Sequence, residues 1–182
     1  ILNSKPESKL ENGESNLYFE NVDIVEHKHN ENEYNDYIKE VLLPHENSRL
    51  GPGIAIGDIN GDKIDDFVIG GAKDQPTAFY IQKLDGSFYS KSFTFSKEHA
   101  KYEDMDMILK DFDNDGDNDL YIVSGGNEFE PNSPILKDRL HTNNGNGSFN
   151  FSNSSLPNNF SSGMRVSSSD YDKDGDIDLF VG

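Results

Sequence analysis

Three short stretches concentrate the residue types able to do chemistry. They read Asp58-x-Asn60-x-Asp62-Lys63-x-x-Asp66, Asp111-x-Asp113-x-Asp115-Gly116-x-x-Asp119 and Asp170-x-Asp172-x-Asp174-Gly175-x-x-Asp178. Carboxylates packed this densely repel one another unless a cation sits among them. Hard oxygen donors in such number suit Ca²⁺, which accepts about 6 to 8 oxygens at flexible angles, better than Mg²⁺, which demands octahedral geometry. Positions 1, 3 and 5 point alternate side chains inward, Gly at position 6 permits a sharp turn, a carbonyl at position 7 adds a backbone oxygen, and position 9 closes the shell. The competing reading is a set of solvated turns, because Asp, Asn and Gly are ordinary turn formers. Three copies at matched places favour calcium, with up to three sites. An EF-hand would instead end on Glu at position 12 and continue as a helix. Position 12 here is Ile69, Ile122 or Val181, each inside an apolar run, so the ligand set must close at position 9. The Gly-Gly-x-Gly-x-Asp pattern of calcium-binding β-helices is also absent.

The elements that position these loops are short runs rich in Ile, Val, Phe and Tyr, broken by Gly, Asn and Asp, which is the pattern of strands and turns. They repeat. The acidic stretches begin at Asp58, Asp111 and Asp170, and two hairpin signals, Asp85-Gly86-Ser87-Phe88 and Asn146-Gly147-Ser148-Phe149, follow the first two. Each unit therefore reads as one strand before the acidic loop, one after it, and a hairpin. Four antiparallel strands in a period of about 40 to 60 residues describe a propeller blade. A plain antiparallel sandwich uses similar strands, but two landmarks recurring in register favour the repeat architecture. The expected fold is thus all-β: a β-propeller fragment of four-stranded antiparallel blades, about two and a half repeats at roughly 50–102, 103–162 and a truncated 163–182. A polar, Pro-containing insertion around residues 127–137 is expected to form a surface loop.

The remaining segments carry less information. Residues 1–16 are polar and aperiodic, as in a disordered lead-in, and residues 17–49 are expected to form a packing segment. Tyr34, Tyr37, Ile38 and Val41 have helical spacing, although Pro44 would stop a helix early and an extended segment fits equally. The absence of Met at position 1 and the ending on an apolar strand, Leu179-Phe180-Val181-Gly182, lead us to expect a piece of a longer protein.

Composition excludes several functions. Among 182 residues there are 34 acidic and 16 basic side chains, no Cys and no Trp, for a formal charge of -18. Such a polyanion repels nucleic acid, whose backbone is bound by clustered Lys and Arg. No apolar run reaches the roughly 18 residues needed to span a bilayer. Disulfides, thiolate metal sites and Cys nucleophiles are ruled out. The three nine-residue loops hold 14 acidic residues and two Lys, a net of -12 out of -18, so most of the net charge is an inventory of candidate metal ligands rather than a general surface property.

Catalytic signatures are missing: there is no Gly-x-Ser-x-Gly elbow, phosphate-binding Gly loop or His-Glu-x-x-His pair. His27 and His29 read as exposed polar residues. His45, His99 and His141 are isolated in sequence, and His141 reads as a surface residue of a hairpin strand. The expectation is therefore not an enzyme but a binding scaffold, with a lyase or hydrolase propeller whose catalytic residues lie elsewhere as the alternative.

The arrangement of strand, Asp-x-Asp/Asn-x-Asp-Gly-x-x-Asp and Phe/Tyr-Ile/Val-x-Gly-Gly resembles the FG-GAP or VCBS repeat, over roughly residues 50–182. That repeat builds the calcium-binding blades of the seven-bladed propeller in integrin α subunits and related bacterial proteins. Leu42-Leu43-Pro44-His45 with Leu50-Gly51-Pro52 further resembles secreted proteins that join these repeats to an ASPIC/UnbV domain, like the cartilage acidic protein group. The resemblance implies calcium ligands at Asp58, Asn60, Asp62, the Ile64 carbonyl and Asp66. It implies Asp111, Asp113, Asp115, the Asp117 carbonyl and Asp119 in the second loop, and Asp170, Asp172, Asp174, the Asp176 carbonyl and Asp178 in the third. Lys63 and Asn60 depart from the pattern, so the first loop is expected to be the weakest site. Because millimolar calcium is available outside the cytosol, an extracellular, periplasmic or outer-membrane-associated protein is expected, a scaffold for a protein or glycan ligand. The best local candidate for a ligand surface is the insertion at 126–138, with Phe129 and Pro131.

Overall fold

The computed structural model describes residues 21–152 and 154–182; the lead-in at 1–16 lies outside them. Among the described residues, ten strands make three antiparallel sheets in strict chain order. The first holds β1 (Ile54–Gly57), β2 (Asp66–Ile69), β3 (Ala78–Gln82) and β4 (Phe88–Lys91). The second holds β5 (Asp104–Lys110), β6 (Asp119–Ser124), β7 (Arg139–Asn143) and β8 (Phe149–Phe151). A two-stranded sheet follows, β9 (Val166–Ser169) paired with β10 (Asp178–Val181). Each acidic loop joins the first two strands of its sheet, and each Gly-Ser-Phe turn closes a hairpin between the third and fourth. Because neighbouring strands run antiparallel, acidic loops and hairpin turns share one end of the sheets, while segments 70–77, 92–103, 125–138 and 154–165 share the other.

Sheets stack face to face. Ala55, Val68, Phe79 and Ile81 of the first meet Met107, Leu109, Leu120 and Ile122 of the second, with Phe93, Phe95 and Phe149 closing the edges. Met105, Tyr121, Val123 and Leu140 face the other way, toward Val166 and Leu179. Strand β6 is buried throughout, which explains its unbroken apolar run: a strand covered on both faces has no polar side to alternate with. Strands β1 and β5 lie against each other, as do β5 and β9. Gly53 permits the first approach, since a Cβ there would stand 2.5 Å from the Asp106 Cα.

Several expectations are corrected. Residues 34–41 make a single 3-10 turn, Asp36–Ile38, started by Asn35, whose side chain accepts from the Tyr37 N–H. Asp36 is buried because it is a junction: its Oδ2 accepts from the Asn47 and Ser48 N–H groups and the Ser48 hydroxyl, and its Oδ1 from Asn127. The insertion does lie at the surface, with Glu130, Pro131 and Asn132 exposed, but it is tied down. It folds through a 3-10 turn, Pro134–Leu136, buries Leu136, and ties to the N-terminal segment through Asn32–Glu128 and Lys39–Glu130. A short helix, α1 (Thr94–Glu98), was not anticipated. His141 is 0% exposed rather than a surface residue, because β7 turns Arg139, His141 and Asn143 toward the first sheet. His27 and His29 are half-buried, bonded to the Tyr80 hydroxyl and to Glu31.

Candidate metal centre

The loops are built from within by their own backbone. Position 1 gathers N–H groups across the turn: Asp58 accepts from Asn60, Gly61 and Lys63, Asp111 from Asp115 and Gly116, and Asp170 from Gly175. Position 5 accepts from position 7, with Asp62, Asp115 and Asp174 bonded to Ile64, Asp117 and Asp176. Those bonds draw the side chains inward. Carboxylate oxygens of Asp111, Asp113 and Asp115 lie within 4.8 Å of one another, and those of Asp170, Asp172 and Asp174 do the same. Asp170 Oδ1 is buried without a donor among the described residues. Converging acceptors with an orphaned buried oxygen fit a hard divalent cation, because any neutral filler would leave carboxylate repulsion uncompensated. Asp113 titrates above the usual carboxylate range, through desolvation in the loop and then repulsion from Asp115 and Asp111.

The first loop differs. Asn60 Nδ2 donates to Asp62 Oδ2 at 3.1 Å, so an amide already neutralises part of what a cation would meet. Loop backbone explains the Lys63 departure: positions 4 and 6 are both left-handed, at Gly61 and Lys63, Asn114 and Gly116, and Lys173 and Gly175. Each loop spends one glycine on two such positions, where other residues are disfavoured. The first places it at position 4, a compensation visible in sequence only when both positions are known.

Position 9 has a structural role of its own. Asp66 and Asp119 are 0% exposed, and each clamps two segments with its two oxygens. Asp66 accepts from Ile59 and Gln82, and Asp119 from Phe112 and Asn143. Each oxygen keeps a lone pair for a cation. Burial raises both pKa values against the opposing effect of these bonds, with loop carboxylates adding to the rise. Asp178 is exposed and accepts only from Tyr171 N–H among the described residues. Ile64, Asp117 and Asp176 occupy position 7, with their N–H groups turned to position 5.

Residues that sequence reading missed link the loops to one another. Asn118 donates to the Asp58 carbonyl at 3.0 Å, Asn114 to Asp176 Oδ1 at 2.9 Å, and Asn143 to the Ile59 carbonyl at 2.8 Å. Asparagine at positions 4 and 8 of the second loop was the available signal. The three loops thus form one connected rim.

A family model described as FG-GAP-like repeat matches residues 58–122 and again 111–181. Over 104 residues, 57% of this chain, the sequence is 28% identical to integrin alpha-5 of Xenopus laevis. The match spans 9% of that relative's length.

Proposed function

Since the chain belongs to the FG-GAP-like repeat family, we propose that it is a calcium-stabilised arc of a β-propeller in an exported or cell-surface protein, serving as an adhesion or binding scaffold. The observation that carries this reading is the convergence of Asp111, Asp113 and Asp115, and of Asp170, Asp172 and Asp174, within 4.8 Å. Ca²⁺ would be held by these side chains and position 9, with the weakest hold in the first loop. Its role there is structural, cancelling repulsion at the loop rim. The propeller arrangement is supported by successive sheets whose first strands, β1, β5 and β9, adjoin in order. Repeats of about 50–102, 103–162 and 163–182 follow. Exported placement is supported by the integrin relative and by the millimolar calcium that weak extracellular modules use. A scaffold role fits the interior histidines, since His141 is packed between Phe95 and Phe151 and not open to a substrate.

Thermal unfolding in 1 mM Ca²⁺ and in EDTA tests the proposal. Two sites of about 0.1 mM affinity would raise the midpoint by roughly 5–10 °C. An unchanged midpoint contradicts it.

A further inference from the structure

At the end of the sheets opposite the acidic loops, the N-terminal segment, the 126–138 insertion and the connection after β8 enclose a cleft of about 520 Å³. It is unlike an apolar docking groove. Three half-buried rings, Tyr34, Phe129 and Phe160, come from three different segments, and the planar acceptors Glu40, Glu130 and Asn132 line the same cleft. Glu40 uses Oε2 to accept from Asn127 and leaves Oε1 without a partner among the described residues. Glu130 similarly gives Oε1 to Lys39, and the Asn132 side chain is unbonded among the described residues. Asn132 sits in left-handed backbone, φ 61°, at the tip of the insertion beside Pro131.

The ligand class follows from these groups. Rings that share a cleft with carboxylate and amide groups match a pyranose, whose C–H face packs on an aromatic ring while adjacent hydroxyls donate to one carboxylate or share an amide. A free phosphate, sulfate or sialic acid is disfavoured, because Asp36, Glu40 and Glu130 face the cleft against Lys39 alone and the chain carries -18. A basic peptide shares the charge preference but would use only the acids, leaving the amide and hydroxyl groups of Asn132, Ser161 and Ser162 unmatched. We infer that this cleft binds a neutral oligosaccharide through the Tyr34, Phe129 and Phe160 rings and the Glu40, Glu130 and Asn132 side chains. The inference rests on the binding-scaffold reading and specifies its ligand. The cleft lies at the end remote from the metal loops, so calcium acts on it only by holding the sheets in place.

Saturation-transfer NMR on the full chain in 1 mM Ca²⁺ tests it, with maltotetraose, cellotetraose, mannotetraose and chitotetraose as probes and tetra-lysine and a heparin tetrasaccharide as comparators. At least one neutral tetrasaccharide is expected to receive saturation, with a dissociation constant on the order of 1 mM for so open a cleft. Phe160→Ala and Asn132→Ala should each weaken it by roughly tenfold, while Tyr171→Ala, at the opposite end, leaves it unchanged. Variants that keep the wild-type melting midpoint establish that folding is intact. No transfer to any neutral sugar overturns the proposal, as does transfer unaffected by both cleft variants. Binding of tetra-lysine alone also overturns it, yet leaves the scaffold reading standing, whereas an EDTA-insensitive melt removes the calcium reading without touching the sugar result.

Discussion

Replacing His141 by Phe isolates one energetic term of the junction between the first two sheets. The imidazole is 0% exposed, lies 4.0 Å from the Phe95 ring and 5.2 Å from those of His99 and Phe151, and neither nitrogen has a hydrogen-bond partner among the described residues. Burial first, then the Arg139 cation and His99, push its pKa from 6.5 down to about 3. The unfolded chain therefore takes up a proton near pH 6.5 that the folded chain refuses. Stability contributed by the neutral ring is complete above pH 6.5 and is lost as the pH falls toward 3. At pH 5 the loss is about 1.5 pH units at 1.36 kcal/mol each, or about 2 kcal/mol. His141→Phe keeps the ring stack and removes this term. It also removes two unsatisfied nitrogens and adds volume, but both changes are independent of pH. Urea unfolding of both proteins between pH 7 and 5 at fixed calcium should show the variant gaining about 2 kcal/mol on the wild type across that range. Other titrations, including those of the loops, cancel in the difference. A difference constant within about 0.5 kcal/mol would show that His141 titrates freely and would refute its burial as a neutral group.

Three more outcomes follow from buried charges and loop geometry. Arg139 and Asp104, 1% and 3% exposed, are paired at 2.5 Å, and Asp104 also accepts from Gly71 N–H and Thr77; Asp104→Asn should cost about 3–5 kcal/mol in urea unfolding, by stranding the guanidinium. Glu103 is raised to about 8 by burial and, against the Lys73 N–H bond, by Glu31, Glu128 and Asp104, so its stability is complete below pH 4.5 and lost as pH rises toward 8. Glu103→Gln should accordingly be more stable at pH 7 by up to about 3 kcal/mol, a gain that vanishes near pH 4.5 in the same assay. In calcium titration calorimetry, Asp111→Ala should abolish a site that Asp58→Ala leaves intact, with the Asp58 change costing less total affinity; the reverse ranking would contradict the special status of the first loop.

Much of this was legible in sequence because it is local. Nine-residue acidic loops and Gly-Ser-Phe turns specify their hairpins through short-range hydrogen bonds, and strand alternation assigns faces. What escaped was set by partners far along the chain. Arg139 of β7 meets Asp104 of β5 across the same sheet, and His141 meets Phe95 of α1, pairings 35 and 46 residues apart in the chain. A polar residue on a strand ordinarily marks the solvent side; here it marks a polar seam between sheets. Asp36 similarly needs Asn127, 91 residues away, to justify its burial. Clamping by Asp66 and Asp119 was hidden for another reason. Their spacing reads as ligation, and only the fold shows that the same carboxylates also hold the third strand of each sheet at Gln82 and Asn143.

Calcium stoichiometry is the most direct measurement of all. Equilibrium dialysis at 1 mM Ca²⁺ should find two to three ions per chain, falling to one or none when Asp111→Ala and Asp170→Ala are combined. No retained calcium, or an unchanged count in the double variant, would contradict the assignment of the acidic loops as metal centres.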